Sequence, residues 1–297
     1  MSSPADPPVR SRRDEGGRTR DLSWPRAPQP LEVPVTDNHA HLEIRDGDAW
    51  LGVEEAIARA AAVGVHRIVQ IGCDLPSARW TVRAVAEHEA LLGGVAIHPN
   101  ESVRLHEAGA LPDALAEIAE LARTDTVRVV GETGLDHFRT PEPGWAVQEE
   151  AFREHIRLAR ELGKPLQVHD RDAHADVLRV LDDAGAPDVV VMHCFSGDAA
   201  FAEACLRRGF YLSFAGTVTF ANAAGLREAL RVVPTSRILV ETDAPFLAPT
   251  PHRGRPNSSY LIPVTLRAMA ATLGCDVTEL AAQVEANTVA VYGPTGH

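Results

Sequence analysis

Eight short runs of aliphatic and β-branched residues, each followed by a longer stretch with helical spacing, constrain this chain more than any other feature. The strand-like runs lie at 33–36, 67–71, 92–97, 127–130, 166–168, 189–192, 210–213 and 238–240. Between and after them, apolar residues recur every three or four positions at 53–62, 78–88, 110–122, 146–162, 173–184, 199–208, 224–232, 262–273 and 278–289, which predicts helices. Gly64, Gly163, Gly185, Gly209 and Gly274 stand where left-handed helix caps belong. Short apolar strands alternating with helices imply parallel pairing buried on both faces. Eight such repeats predict a (β/α)₈ TIM barrel, with a doubly wound sheet as the alternative.

The 297 residues are enough for two domains of ordinary size, but α/β barrels run to ~200–250 residues as one unit. The expected organisation is therefore a single barrel domain over 32–297. Residues 1–31 read as a flexible tail: positions 1–30 hold six prolines and six arginines, with almost no large aliphatic side chain. The tail is slightly basic within a chain of net charge −12, and such arms are usually just solvated. Lys164 is the only lysine, so the cationic side chains are otherwise arginines. An acidic balance argues against a broad nucleic-acid-binding surface, so a nucleic-acid partner would have to be held locally. No apolar run reaches the ~18 residues of a membrane span. Cys73, Cys194, Cys205 and Cys275 are scattered, form no C-x-x-C pair and follow no signal peptide, which points to reduced thiols and a cytoplasmic location.

The ends of the strands carry the chemistry. After the first comes D-N-H-A-H, with Asp37, His39 and His41; after the third, His98; after the fourth, Glu132; after the fifth, His169; after the sixth, His193; after the eighth, Asp243. In a closed barrel all carboxyl ends open on one rim, where active sites of this fold lie. Each residue alone has an ordinary reading as a hydrogen-bonded core histidine, a cap or a solvated acid. Six coinciding strand ends are a different matter. His39 and His41 are two apart, so in an extended segment both project to the same side. Four imidazoles and two carboxylates hold two divalent ions if one carboxylate bridges, and Glu132, central in the series, is the natural bridge. A carbamylated lysine is ruled out for that role, since Lys164 precedes its strand. The chain has no G-x-S-x-G elbow, Walker loop, dinucleotide fingerprint or H-E-x-x-H helix. Cys194 beside His193 is a weak nucleophile candidate, because adjacent strand residues face opposite ways.

The motifs D-N-H-A-H-L (37–42), G-V-A-I-H-P (94–99), G-E-T-G-L-D (131–136), Q-V-H-D-R-D-A (167–173), H-C-F-S-G (193–197) and E-T-D-A-P-F-L-A-P (241–249), followed by P-H-R-G-R-P-N (251–257), resemble the TatD family of metal-dependent deoxyribonucleases. They follow family order from about residue 35 to the N-T at 287–288. The resemblance implies a TIM-barrel metallohydrolase related to the amidohydrolases and acting as a 3′ to 5′ exonuclease. It implies one cation on His39, His41, Glu132 and Asp243, and a second on Glu132, His169 and His193. Asp243 would serve as general base, His98 and Arg171 would lie near the bound phosphate, and His252 with Arg253 would occupy a rim loop contacting substrate. Asp136 reads as a turn or supporting residue. Asn100 and Asp170 depart from residues common in the family, and His137 and Phe138 occupy variable positions after G-L-D; these bear on substrate detail.

The expected chemistry is two-metal hydrolysis of a phosphodiester with Zn²⁺, Mn²⁺ or Mg²⁺. The expected partner is DNA, engaged at single-stranded 3′ ends, with no membrane and no obligate protein partner. The nearest rival keeps the site and changes the substrate to a small amide, lactone, phosphotriester or aminoacyl-tRNA ester. A non-catalytic metal-binding scaffold is a further alternative, disfavoured by the complete ligand set.

Overall fold

The structure is a computed structural model that describes residues 9–10, 19–46 and 49–294. Eight parallel strands form one sheet in sequential order: β1 (Val35–Ala40), β2 (Val65–Gly72), β3 (Leu91–Val95), β4 (Val127–Asp136), β5 (Leu166–Arg171), β6 (Val190–Met192), β7 (Tyr211–Phe214) and β8 (Ile238–Val240). The sheet closes just beyond the ends of β1 and β8, where Ala40 bridges Ala244 in parallel. Asp37 staples that seam by accepting from the Thr242 amide at 2.9 Å and its hydroxyl at 2.5 Å. Sequential parallel order is what right-handed βαβ crossovers produce, so the eight-fold alternation does specify the barrel.

Ten α-helices accompany the strands among the described residues: α1 (Val53–Ala61), α2 (Leu75–Glu87), α3 (Pro99–Glu107), α4 (Leu111–Ala122), α5 (Trp145–Leu162), α6 (His174–Ala184), α7 (Ala199–Leu206), α8 (Ala224–Val232), α9 (Ile262–Leu273) and α10 (Val277–Tyr292). α5 shows how the pattern works. Ala151, Phe152, His155, Ile156 and Ala159 fall on one buried stripe, and Gly163 ends the helix at φ +60°. Burying side chains such as Phe152 and Ile156 contributes about 1.5–3 kcal/mol each. α3 has no counterpart in the expected elements, because P-N-E-S-V-R-L-H-E is too polar to show an apolar stripe. No single helix among the described residues is long and apolar enough to cross a membrane.

The barrel interior is layered. Val69, Ile71, Val129, Val191 and Leu239 form an apolar cluster with Val291 and Tyr292 at the end of α10. Above it, Gln167 donates to the Tyr292 hydroxyl at 3.0 Å and to the Asn38 carbonyl at 2.9 Å, which marks the change to a polar layer. Lys164 points the other way: its ammonium is spread over the carbonyls of Ala122, Thr124 and Val127.

The expected flexible tail is corrected over its second half. Arg20 is buried in a bidentate pair with Asp46, the Tyr260 hydroxyl donates to the Pro25 carbonyl at 2.7 Å, and Trp24 packs against Tyr260. Val9–Arg10 pairs in parallel with Arg45–Asp46. Residues 1–8 and 11–18 of that expectation lie outside the described residues.

Candidate active site

Two strand irregularities aim the ligands. Between Asp37 and Ala40, β1 has one residue more than its partner β2, and between Val130 and Thr133, β4 has one more than β5. These bulges fall on Asn38–His39 and Gly131–Glu132, and an extra residue in a ladder re-aims side chains beside it. The approach of β5 to β4 leaves no room at Gly134: its φ is +140°, and a Cβ there would lie 2.1 Å from the His169 carbonyl oxygen. Glycine is the residue that lets β4 and β5 come this close at their carboxyl ends.

His39 and His41 point their Nε2 atoms at one another across 3.0 Å. Asp243 Oδ1 lies 3.8 and 3.5 Å from those two nitrogens, and Glu132 Oε1 lies 3.9 and 3.8 Å from them. Asp243 holds a left-handed backbone (φ +53°), a conformation that Asp tolerates better than most residues, and its amide donates to the His39 carbonyl at 2.9 Å. The opposite nitrogens are anchored: His39 Nδ1 to Gln167 Oε1 at 2.7 Å, and His41 Nδ1 to the Ile71 carbonyl at 3.0 Å. Both partners are acceptors, so each Nδ1 carries a proton, and with a cation in place each Nε2 would turn its lone pair inward. Two lone pairs facing each other at this distance fit a shared cation.

The other oxygen of Glu132 serves a second group. His193 Nε2 lies 2.7 Å and His169 Nδ1 3.1 Å from Glu132 Oε2. Glu241 Oε1 holds His193 Nδ1 at 3.1 Å, and Asp136 Oδ2 stands 3.5 Å from His169 Nε2. An imidazole oriented from behind by a carboxylate is the usual arrangement at a metal centre. His98 differs in kind. Its Nδ1 accepts from the Asn100 amide at 3.1 Å, so its Nε2, 4.0 Å from Glu132, bears the proton and is a donor rather than a ligand.

The charges answer one another. Burial alone would raise Glu132, but the fields of His193 and His98 and hydrogen bonds from His169 and His193 hold it well below the usual range. Burial opposes protonation of His41, yet Asp243, Glu43 and Glu132 lift it to about 10. Burial likewise opposes the charge on His169, which Asp136 and Glu132 raise to about 8. His39 is kept well below its ordinary value by burial and by His193 beside it. Carboxylates this enclosed demand positive charge, whether from protons or from metal ions.

The family model described as TatD related DNase matches residues 36–293. The chain belongs to the TatD family. It is 43% identical over 268 residues to "Uncharacterized metal-dependent hydrolase TatD" of Mycobacterium tuberculosis, covering 87% of this chain and 98% of that one. It is 34% identical to the "3'-5' ssDNA/RNA exonuclease TatD" of Klebsiella pneumoniae, over 81% of this chain and 91% of that one. Among solved structures, the TatD homologue YJJV of Escherichia coli superposes with a TM-score of 0.79 at 25% identity, covering 88% of this chain and 98% of that one.

In this TatD-family hydrolase the six residues expected to bind metal, His39, His41, Glu132, His169, His193 and Asp243, meet around one carboxylate. The expected substrate contacts divide. His98 faces the site, whereas Arg171 lies over the Phe138 ring at 4.1 Å and Arg253 over Phe220 at 4.4 Å, both outside the ligand cluster. His252 caps a turn through its amide on the Pro249 carbonyl. Cys194 is no nucleophile: burial and the charges of Asp243 and Glu241 push its thiol well above the ordinary value. Asn100 bears on the site rather than on substrate detail, because its side-chain amide donates to Asp136 Oδ2 at 3.0 Å, behind His169. Asp170 is likewise structural, accepting from His174 at 2.8 Å.

Three contributors went unassigned in the sequence reading. Gln167 orients His39, Glu241 orients His193, and the Cys73 thiol, read as a minor core residue, donates to Glu132 Oε1 at 3.3 Å. A signal existed for two of them: Gln167 and Glu241 each lie two positions before a ligand, on the same inward face.

Proposed function

We propose that this metal-dependent hydrolase cleaves phosphodiester bonds at the 3′ end of single-stranded nucleic acid, DNA in the first instance, in the reducing cytoplasm where its four free cysteines stay reduced. The observation that carries the reading is Glu132, whose two oxygens address two separate sets of imidazoles. That donor set suits two divalent cations, Zn²⁺, Mn²⁺ or Mg²⁺, one on His39, His41, Glu132 and Asp243 and one on Glu132, His169 and His193. Bound there, such ions supply Lewis acidity, lowering the pKa of water from 15.7 towards about 7 and offsetting charge on the phosphoryl oxygens.

The chain's own groups do the rest. Asp243 is partly open to solvent while its neighbours are closed, so its carboxylate takes the proton of an attacking water. His98, kept neutral by burial that lowers it to about 3, presents its Nε2 proton to a phosphate oxygen without adding charge. Gln167, Glu241 and Asp136 fix the ring orientations beforehand, so little reorganisation is required during the reaction. The printed name of the Klebsiella pneumoniae relative supports the choice of a single-stranded substrate.

The test is turnover by metal-reconstituted protein of 3′-ended single-stranded oligonucleotides, aminoacyl-tRNA and p-nitrophenyl esters. Nucleotides should be released from oligonucleotides, and both His169→Ala and Asp243→Asn should abolish that release while leaving the fold intact. Turnover of esters alone would move the site to the amidohydrolase and esterase class, and full nuclease activity in both variants would sink the assigned site.

A further inference from the structure

Among the described residues only two aromatic side chains are exposed, Phe138 at 57% and Trp50 at 48%. Both stand on the catalytic rim, Phe138 two positions beyond the end of β4 and Trp50 in the connection from β1 to α1. Each has an arginine across one face, Arg171 at 4.1 Å and Arg45 at 4.7 Å, and each leaves ring surface open to solvent. On the β7–β8 side, Arg253 lies over Phe220 at 4.4 Å, again in loops that follow barrel strands.

These arginines differ from those on the outer helices. Many guanidinium groups there pair with carboxylates, as Arg79 does with Glu117, Arg123 with Glu161, and Arg208 with Asp182, and others are taken up by backbone carbonyls, as Arg160, Arg227 and Arg267 are. Among the described residues, no such ion pair involves Arg45, Arg171 or Arg253. On a chain of net charge −12, the rim thus carries three guanidinium groups that have no carboxylate partner and each lie over an aromatic ring. A structural role for Phe138 and Trp50 would predict burial, and a solvated arginine has no need of a ring beneath it. Rings with one free face and a guanidinium group on the other, unneutralised by a carboxylate, are what a flexible polyanion with stackable bases requires.

We infer that Phe138 and Trp50 are base-stacking platforms on two flanks of the ligand cluster, with Arg45, Arg171 and Arg253 taking the intervening phosphates of a single-stranded nucleic acid. The inference rests on the reading of the site as a nuclease and adds what selects a polynucleotide over a small ester. Arg171 is placed for both tasks. It ends β5 two residues after His169, and its backbone carbonyl accepts from the His137 amide at 2.9 Å, which ties the Phe138 loop to the strand that carries a metal ligand. A base on Phe138 would therefore be held in register with the bond being cut.

The experiment compares wild type, Phe138→Ala, Trp50→Ala, the double variant and Phe138→Trp. Binding of a 3′-ended single-stranded oligonucleotide to chelator-treated protein is followed by fluorescence anisotropy, and KM and kcat are measured with metal-reconstituted protein. Each alanine variant should weaken binding and raise KM about tenfold with a smaller change in kcat, and the ratio of oligonucleotide to small-diester turnover should fall accordingly. Phe138→Trp should restore binding, which a merely packed residue would not do. Both positions are exposed, so the variants should fold, with circular dichroism as the check. Wild-type binding and KM in the double variant, from a protein that cleaves oligonucleotides, would overturn the platforms and leave the nuclease reading standing. A wild-type protein that neither binds nor cleaves any oligonucleotide would remove both.

Discussion

The two sets of imidazoles that share Glu132 are built differently. His39 and His41 are 0% and 4% exposed, whereas in the second set His193 is 3% exposed and only His169, at 18%, opens to solvent. The first set is anchored by the sheet itself, through Gln167 of β5 and the Ile71 carbonyl of β2, at the seam that closes the barrel. The second leans on groups beyond the strands. Asp136 behind His169 is held by Asn100 in α3 and by the Arg139 amide, and Asn100 in turn accepts from Thr140 at 2.8 Å. The enclosed set inherits the rigidity of a closed hydrogen-bonded ladder, while the open set faces solvent and depends on a short polar relay. An ion on the open side should be the more exchangeable and the nearer to substrate.

Removing the shared carboxylate should erase the difference with the largest effect. Glu132→Gln is expected to strip metal from both sets and lower turnover by about a thousandfold or more, since the lost Lewis acidity is worth several kcal/mol. Elemental analysis alongside kinetics checks this. His169→Ala, in the same analysis, should keep one tightly held ion per chain, and loss of both would show that the two halves are not separable.

Supporting residues give an intermediate effect. Gln167→Ala and Glu241→Gln should weaken metal binding by about 10–100-fold, as the removal of orienting groups typically does. Asn100→Ala, acting one step further back through Asp136, should weaken it less and only on the open side. Metal titrations compare the three directly, and an Asn100 effect equal to that of Gln167 would break the proposed asymmetry.

The last effect concerns stability against pH rather than metal binding or turnover. His155 is buried beneath the open half, where its Nε2 accepts from the Ile97 amide at 3.1 Å and its Nδ1 lies 2.7 Å from the Ala151 carbonyl. Burial lowers its pKa to about 4 from 6.5. A depressed value in the folded state means that the unfolded chain binds the proton more readily. The stabilisation is therefore complete above pH 6.5 and is lost as pH falls towards 4, on the order of 3 kcal/mol in all. Urea unfolding of chelator-treated protein should show that loss, and His155→Gln should flatten it.

Much of this was legible in the chain. Six strand ends bearing His, Glu or Asp pointed to the rim and to the six metal-binding candidates, because parallel βαβ order forces every carboxyl end to one side. The motif order identified the family for the same reason. Other features were illegible because their signal is not periodic. α3 is too polar to show a stripe, and Asn38–His39 and Gly131–Glu132 give no hint in sequence that they are bulges. Arg171 and Arg253 were expected near substrate, and only the folded chain shows that they also lie over the Phe138 and Phe220 rings.

The sequence by itself determined the barrel and which acidic and imidazole side chains stand at its rim, since hydrophobic period and strand order are local properties written residue by residue. Tertiary structure alone decided which nitrogen of each imidazole faces inward. That choice depends on what stands behind each ring, a hydrogen bond to Gln167, Ile71 or Glu241 or the carboxylate of Asp136, across separations of up to 128 residues that no local pattern encodes.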